Sequence, residues 1–204
     1  VWNGSSWSEV NDPDPAGYYR NLAGSSTSAI ISGGGDPSHG NQDIEEVDEY
    51  NGSSWTEIAE LNTARGAAAG IGIAAPSIMF AAGTNTGGPG SDAVEIWNGS
   101  SWTEVNEINS PRYNLKGFGL TTSGTIAGGA GPSSPEMTGK TEFWNGTSWT
   151  EVNDMATARR GLGSGTGSPS SIGIVFGGDV PGGASNATEE FTGAAFQIKT
   201  VTTS

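Results

Sequence analysis

A nine-residue motif that returns at a fixed interval constrains this chain more than any other feature. It reads Trp2-Asn3-Gly4-Ser5-Ser6-Trp7-Ser8-Glu9-Val10 and comes back as Tyr50-Asn51-Gly52-Ser53-Ser54-Trp55-Thr56-Glu57-Ile58. Two further copies are Trp97-Asn98-Gly99-Ser100-Ser101-Trp102-Thr103-Glu104-Val105 and Trp144-Asn145-Gly146-Thr147-Ser148-Trp149-Thr150-Glu151-Val152. A degenerate copy, Phe191-Thr192-Gly193-Ala194-Ala195-Phe196, follows near the end. The first aromatic falls at 2, 50, 97, 144 and 191, in steps of 48, 47, 47 and 47. A period that constant marks stacked supersecondary units, none of which can bury its apolar face alone.

Each unit reads as four short strands, a to d. In the clearest one, Thr141-Glu142-Phe143-Trp144 is strand c, Asn145-Gly146 turns the chain, and Trp149-Thr150-Glu151-Val152 returns as strand d. Asn-Gly tolerates the positive φ that a tight hairpin needs. A polar connection holding Arg159 leads to Gly161-Leu162-Gly163-Ser164-Gly165-Thr166, strand a, whose scarcity of side chains suits a place where backbones crowd. Ser171-Ile172-Gly173-Ile174-Val175-Phe176 is a buried strand b. Its counterparts are Ser28–Ser32, Ser77–Ala81 and Thr125–Ala127. After strand b stand Gly33-Gly34, Ala82-Gly83, Gly128-Gly129 and Gly177-Gly178. Arg65, Arg112 and Arg159 recur in the d–a connection, whereas Arg20 comes later after its motif, with extra residues around Asp12-Pro13-Asp14-Pro15. Asn62–Ala69 could be taken for a helix, but its glycine and the repeat register make it a d–a loop entering strand a.

Four antiparallel strands per repeat of about 47 residues predict an all-β fold, a β-propeller of at least four four-stranded blades, in one domain over residues 1–204. Residues 1–10 are an extra c–d hairpin, and the repeats span about 11–58, 59–105, 106–152 and 153–200. The chain thus has five c–d hairpins for four full units. Either the first hairpin closes the ring beside the last blade, which is the expectation we favour, or the chain belongs to a longer propeller. The start at Val1, inside a motif, points to a processed or truncated N-terminus or to a cut made there.

Two resemblances rest on these residues. The glycine pair after strand b, the d–a Arg, and the aromatics bracketing the c–d turn (Trp2/Trp7, Tyr50/Trp55, Trp97/Trp102, Trp144/Trp149) resemble the kelch repeat over essentially the whole chain. Ala82 and the Phe191–Phe196 copy depart from it. This resemblance implies structural roles for those aromatics, for Gly34, Gly83, Gly129 and Gly178, and for Arg65, Arg112 and Arg159. The regular Trp-Asn-Gly-Ser-Ser-Trp form in Gly/Ser/Thr-rich filler resembles kelch-like proteins encoded by marine bacteriophages. That implies an extracellular or virion- or tail-associated module.

Composition excludes several chemistries. There is no Cys, so disulfides, thiolate metal sites and Cys nucleophiles are absent. A net charge of −14 repels phosphate backbones and anionic membranes, so neither nucleic acid nor membrane insertion is expected. Glycine, 34 of 204 residues, is more than twice its usual share of about 7%, yet regularly spaced Trp argues for order rather than a flexible chain. Asn3, Asn51, Asn98, Asn145 and Asn186 start Asn-x-Ser/Thr triplets, and turn chemistry already accounts for the first four.

Strand polarity puts the a–b and c–d turns at one end of the blades and the b–c and d–a loops at the other. The b–c loops diverge most, and variable loops on a rigid scaffold are where binding usually resides. The candidate binding residues there are Asp36, His39, Asn41, Gln42, Asn85, Asp92, Glu136, Asp179 and Asn186. His39 is the only histidine, so no metal site is assigned. A weak all-oxygen Ca²⁺ site among Asp12, Asp14, Asp36, Asp43, Asp92, Asp154 and Asp179 is the one cofactor left open. The carboxylates at 48, 95, 142 and 189, and at 9, 57, 104 and 151, occur once per repeat and so read as structural rather than as a catalytic pair. No nucleophile elbow, phosphate loop or Ser/His/Asp set is present. The expectation is a non-enzymatic module whose partner is a protein or a surface glycan. A self-assembling scaffold or decoration protein, attached to a larger chain or to its own copies, is the alternative, and a carbohydrate-active enzyme is the weaker one.

Overall fold

The computed structural model describes residues 1–40, 42–84, 89–132, 136–166, 172–192 and 199–200. Four antiparallel sheets of four strands are arranged as the blades of a β-propeller. In blade 1, β1 (Asn21–Ser25) and β2 (Ser28–Ser32) are followed by a ribbon of β3 (Gly35–Asp36) and β4 (Gln42–Asp43), with a 3-10 turn at Pro37–His39 between them. β5 (Val47–Tyr50) and β6 (Trp55–Glu57) complete the sheet. Blade 2 is β7 (Ala69–Ala74), β8 (Ser77–Gly83), β9 (Ser91–Trp97) and β10 (Trp102–Val105). Blade 3 is β11 (Lys116–Leu120), β12 (Ser123–Ala127), β13 (Thr141–Trp144) and β14 (Trp149–Val152). Blade 4 begins with β15 (Gly163–Thr166) and β16 (Ile172–Phe176), carries a ribbon of β17 (Asp179–Val180) and β18 (Gly183–Ala184), and ends with β19 (Thr188–Thr192) and β20 (Lys199–Thr200). Residues 62–68 are loop, as the glycine and register require.

The a strands lie side by side: β1 packs on β7, β7 on β11 and β11 on β15. This is where the missing side chains are needed. A Cβ on Gly70 would lie 2.2 Å from the Leu22 carbonyl oxygen, and one on Gly117 would lie 2.8 Å from that of Gly70. Any larger residue would push the blades apart.

The core consists of layers between blades. Ile30, Val47, Ile78, Phe80, Trp97 and Trp102 fill the first. Ile71, Met79, Leu115, Ile126, Trp144 and Trp149 fill the second. Phe118, Ala127, Leu162 and Val175 fill a smaller third. The motif aromatics stack in tilted pairs, with ring centroids 5.1 Å apart for Tyr50–Trp55, 5.3 Å for Trp97–Trp102 and 5.2 Å for Trp144–Trp149. The strand-d indoles also tie blades together. Trp102 Nε1 donates to the Ala59 carbonyl at 2.8 Å and Trp149 Nε1 to that of Asn106 at 3.1 Å.

The c–d turns are closed by their asparagines. In each of the four full motifs, the Asn side-chain oxygen (Asn3, Asn51, Asn98, Asn145) accepts from the backbone N–H groups two and three residues on. The glycine between takes φ from +95° to +99°. Positive φ is therefore carried by Gly alone, while Asn acts as an acceptor.

Among the described residues, residues 1–10 do not close a ring. There the hairpin pairs with itself, through a Trp2–Trp7 bridge, and belongs to none of the four sheets. It sits beside blade 1: Asn11 accepts from the Trp55 N–H at 3.0 Å and donates to the Trp55 carbonyl at 3.2 Å. Trp2 and Trp7 are 49% and 79% exposed, because the neighbouring strands that bury their counterparts are not beside them. Among the described residues, no packing comparable to the three a-strand contacts joins β15 back to β1.

Candidate functional site

The end formed by the b–c and d–a loops is built on one repeated device. The carbonyl of each d–a arginine accepts from the second post-b glycine of the preceding blade, Gly34 N–H to Arg65 at 2.9 Å, Gly83 to Arg112 at 3.0 Å and Gly129 to Arg159 at 2.9 Å. Both residues of the glycine pair hold positive φ, and Ala82 takes the same conformation at +66°. A Cβ on Gly33 would meet the Arg65 carbonyl at 1.9 Å. The guanidinium of each arginine then pairs with the buried strand-c carboxylate of the next blade: Arg65 with Glu95, Arg112 with Glu142 at 2.6 Å, and Arg159 with Glu189. Those carboxylates also receive loop N–H groups from Asn62, Asn109 and Ala156. Burial lowers the Arg65 pKa from its ordinary value, outweighing the opposing pull of Glu95 and Glu104. The second series, Glu9, Glu57, Glu104 and Glu151, is exposed.

Blade 1 reaches the same result by another route. Tyr19, Ala67, Asn114 and Gly161 are equivalent, with φ of 54°, 51°, 55° and 60°. They form a ladder in which each N–H donates to the preceding carbonyl at 2.8 Å. That register puts Gly17 at the arginine position. Arg20, three residues later, supplies the charge instead, reaching Asp48 at 3.4 Å and the Pro15, Gly33 and Glu46 carbonyls. Desolvation raises the Asp48 carboxyl pKa despite the Arg20 charge.

Two concavities open at this end. One, of about 240 Å³, lies at the ladder and is lined by Tyr19, Arg20, Ala67, Asn114, Lys116 and Gly161 among others. Burial lowers the Lys116 pKa there. The other, of about 370 Å³, belongs to blade 3. Asn109, Ser110, Pro111 and Arg112 of the d–a loop and Gly131, Pro132, Glu136, Met137, Thr138 and Lys140 of the b–c segment form its walls.

Of the residues proposed from sequence, Glu136 is the one lining this cleft. Asp36 is turned inward: it is 2% exposed and caps the 3-10 turn by accepting from the Ser38 N–H and hydroxyl, each at 2.7 Å. That occupies it within its own loop. His39 ends the same turn. Gln42 is exposed on β4, and Asp92 is half-buried in β9. Asp179 is exposed, 3.8 Å from Arg160 Nε, and Asn186 is an exposed loop residue. Asn41 and Asn85 lie outside the described residues. The structure spreads these positions over separate blades rather than gathering them. Among the described residues, no group of three or more His, Asp or Glu is placed to hold a metal ion. Sequence reasoning missed Lys140 and took Arg112 for one more structural arginine. Two signals were available: Lys140 stands where other repeats have Glu46, Ala93 and Ala187, and Pro111 stands where they have Ala64 and Ala158.

Blade count, strand order and the inter-blade core define a four-bladed β-propeller. Among solved structures, that of YjhT matches with a TM-score of 0.69 and 14% sequence identity over 86% of this chain. The chain covers 66% of YjhT, just under two thirds of its length. The likeness is one of fold. No family model matches the sequence, and no curated protein matches it.

Proposed function

We propose that this chain is a non-enzymatic, kelch-like binding module, extracellular or virion-associated, that contacts a surface glycan or a partner protein through its b–c and d–a loop end. The observation that carries this reading is the cleft of about 370 Å³ that opens in blade 3, at the end where the repeats diverge. Concave sites with a few convergent polar groups on a rigid frame are the usual form of a ligand site. At the opposite end the turns spend their polar groups on themselves. The test is a glycan array, with purified candidate surface proteins as a second panel. Binding is expected to be lost in Glu136→Ala/Lys140→Ala and retained in Ser100→Ala at the turn end. Binding that survives the loop changes, or no binding on either panel, overturns the reading.

One observation favours self-assembly as a second reading. Leu22 stands where Gly70, Gly117 and Ser164 face the preceding blade, and it is 60% exposed on the outer face of blade 1. Ile174 and Phe176 are exposed on blade 4. Two unlike apolar faces on one body can join head to tail. Light scattering decides: a monomer at every concentration removes this reading, and a Leu22→Ser variant should dissociate an assembly that uses it.

A further inference from the structure

The four arginine–carboxylate pairs serve as internal controls for one another, and blade 3 is the exception. Arg65 donates from Nε to the Thr63 carbonyl at 3.2 Å, from Nη1 to that of Ala93 at 2.8 Å and from Nη2 to Glu95. Arg159 repeats the pattern on Thr157, Ala187 and Glu189. Arg20, from its different backbone position, still donates to Glu46, the residue equivalent to Ala93 and Ala187. In Arg112 the guanidinium is turned over. Its Nη1 carries both remaining bonds, 3.0 Å to the Ser110 carbonyl and 2.6 Å to Glu142. Nε and Nη2 are buried with no hydrogen-bond partner among the described residues. The equivalent carbonyl, that of Lys140, receives Gly128 N–H but not the guanidinium.

Nε and Nη2 form one edge of the guanidinium, two parallel donors spaced for the two oxygens of a carboxylate or phosphate. Buried donors without partners are rare, and each calls for a specific explanation. Arg112 lines the blade 3 cleft, and so does Lys140. The Lys140 ammonium donates to Ser110 Oγ at 2.9 Å, lies 3.5 Å from Glu151, and its side chain is 40% exposed. Glu142 balances the Arg112 charge and Glu136, also in the lining, opposes that of Lys140, so the cleft would hold an anion by directed donors rather than by net positive charge. Arg112 itself is 1% exposed, so a ligand reaches its free edge only with local movement of the cleft wall. The cations of this acidic chain are also concentrated at the loop end of the blades. Every Lys and Arg except Lys199 lies in a d–a loop, at the start of an a strand or just before a c strand.

We propose that the blade 3 cleft is an oxyanion site, in which a carboxylate or phosphate group is held by the Nε–Nη2 edge of Arg112 and the ammonium of Lys140. It rests on the reading of this end as the binding face and narrows the ligand to one bearing such a group. Blades 2 and 4 offer no such edge at the equivalent place, because every guanidinium nitrogen of Arg65 and Arg159 already donates to the protein.

The test follows the Nε–H resonances of the five arginines in ¹⁵N-labelled protein titrated with acetate, with inorganic phosphate and with chloride as the ionic-strength control. The Arg112 signal, assigned by its loss in Arg112→Lys, should shift saturably with acetate, phosphate or both, while those of Arg65 and Arg159 stay in place. A response to acetate alone assigns carboxylate ligands, and one to phosphate alone assigns phosphorylated ones. Lys140→Ala, a change on the rim, should weaken the response roughly tenfold, as expected for one charge-assisted hydrogen bond, and leave melting unchanged. No saturable shift at Arg112, or the same affinity in Lys140→Ala, overturns the proposal. Glycan or protein binding that persists after such a failure, and still depends on the loops, leaves the wider reading of this face standing.

Discussion

The two ends of the propeller solve the same task with different chemistry. The end made by the a–b and c–d turns uses Asn, Gly, Ser, Thr, Ala and Pro, with no charged residue in any described turn. Within each Asn-Gly motif its hydrogen bonds are local, spanning two or three residues, and single links such as Asn106 to the Thr147 carbonyl and the Ala75 N–H to Ser28 Oγ reach further. The other end is joined by contacts about 30 residues apart in sequence, such as Arg65 to Glu95, and by carbonyls that reach into the preceding blade. Local turns can be copied unchanged from blade to blade. Long-range pairs need a buried charge on each side, and once formed they leave the surrounding loop free to vary. The turn end therefore repeats, while the loop end varies around a constant frame.

The largest expected effect tests that frame. Glu95→Ala strips the partner from an arginine that is 1% exposed and removes the acceptor for two Asn62 donors. Breaking one side of a buried ion pair typically costs about 3–5 kcal/mol. Denaturant unfolding should show a loss of that size, with little change for Glu104→Ala on the exposed series. Equal small effects would mean that the loop end is not held by its ion pairs.

Next in size are the motif aromatics. Trp149→Ala should cost about 3–5 kcal/mol, because the ring is 7% exposed, stacks on Trp144 and bonds to the preceding blade. Trp7→Ala, the same motif position in the N-terminal hairpin, should change stability by less than about 0.5 kcal/mol, since Trp7 is 79% exposed. If the two variants melt alike, the hairpin is buried in solution by something that covers blade 1. A smaller effect belongs to the turn end: Asn98→Ala removes the acceptor for the Ser100 and Ser101 N–H groups at the surface and should cost about 1 kcal/mol.

Most of the fold was legible because the sequence states it four times. Asn-Gly at steps of 48, 47 and 47 places the c–d turns of the first hairpin and of blades 1 to 3, and the apolar run before Gly-Gly or Ala-Gly places each b strand. The ladder at Tyr19, Ala67, Asn114 and Gly161 was not legible, because a positive φ shared by four different residue types leaves no common letter. Arg20 shows the limit of register reasoning: a guanidinium is long enough to reach the same carboxylate position from three residues away. The cleft was legible only as exceptions. A repeat makes the shared residues conspicuous and the single departures, Pro111 and Lys140, easy to pass over, although the departures are what separate one blade from another.

Asp48 gives the smallest and most discriminating prediction, because it sits in the one pair built from an irregular position. Burial raises its folded-state pKa above the ordinary aspartate value, with the Arg20 charge opposing but not cancelling the shift. A carboxyl whose pKa is raised on folding holds its proton more tightly in the native state. Its contribution to stability is thus fully present below the unfolded-state pKa and is lost as pH rises through the folded-state value. Asp48→Asn cannot titrate, so the stability of wild type relative to this variant should be greatest in acid and decline toward neutral pH. Guanidinium unfolding of both proteins across that range is the measurement. A wild-type advantage that grows toward neutral pH would show instead that the 3.4 Å contact with Arg20 outweighs desolvation and that blade 1, despite its displaced arginine, is as firmly paired as the others.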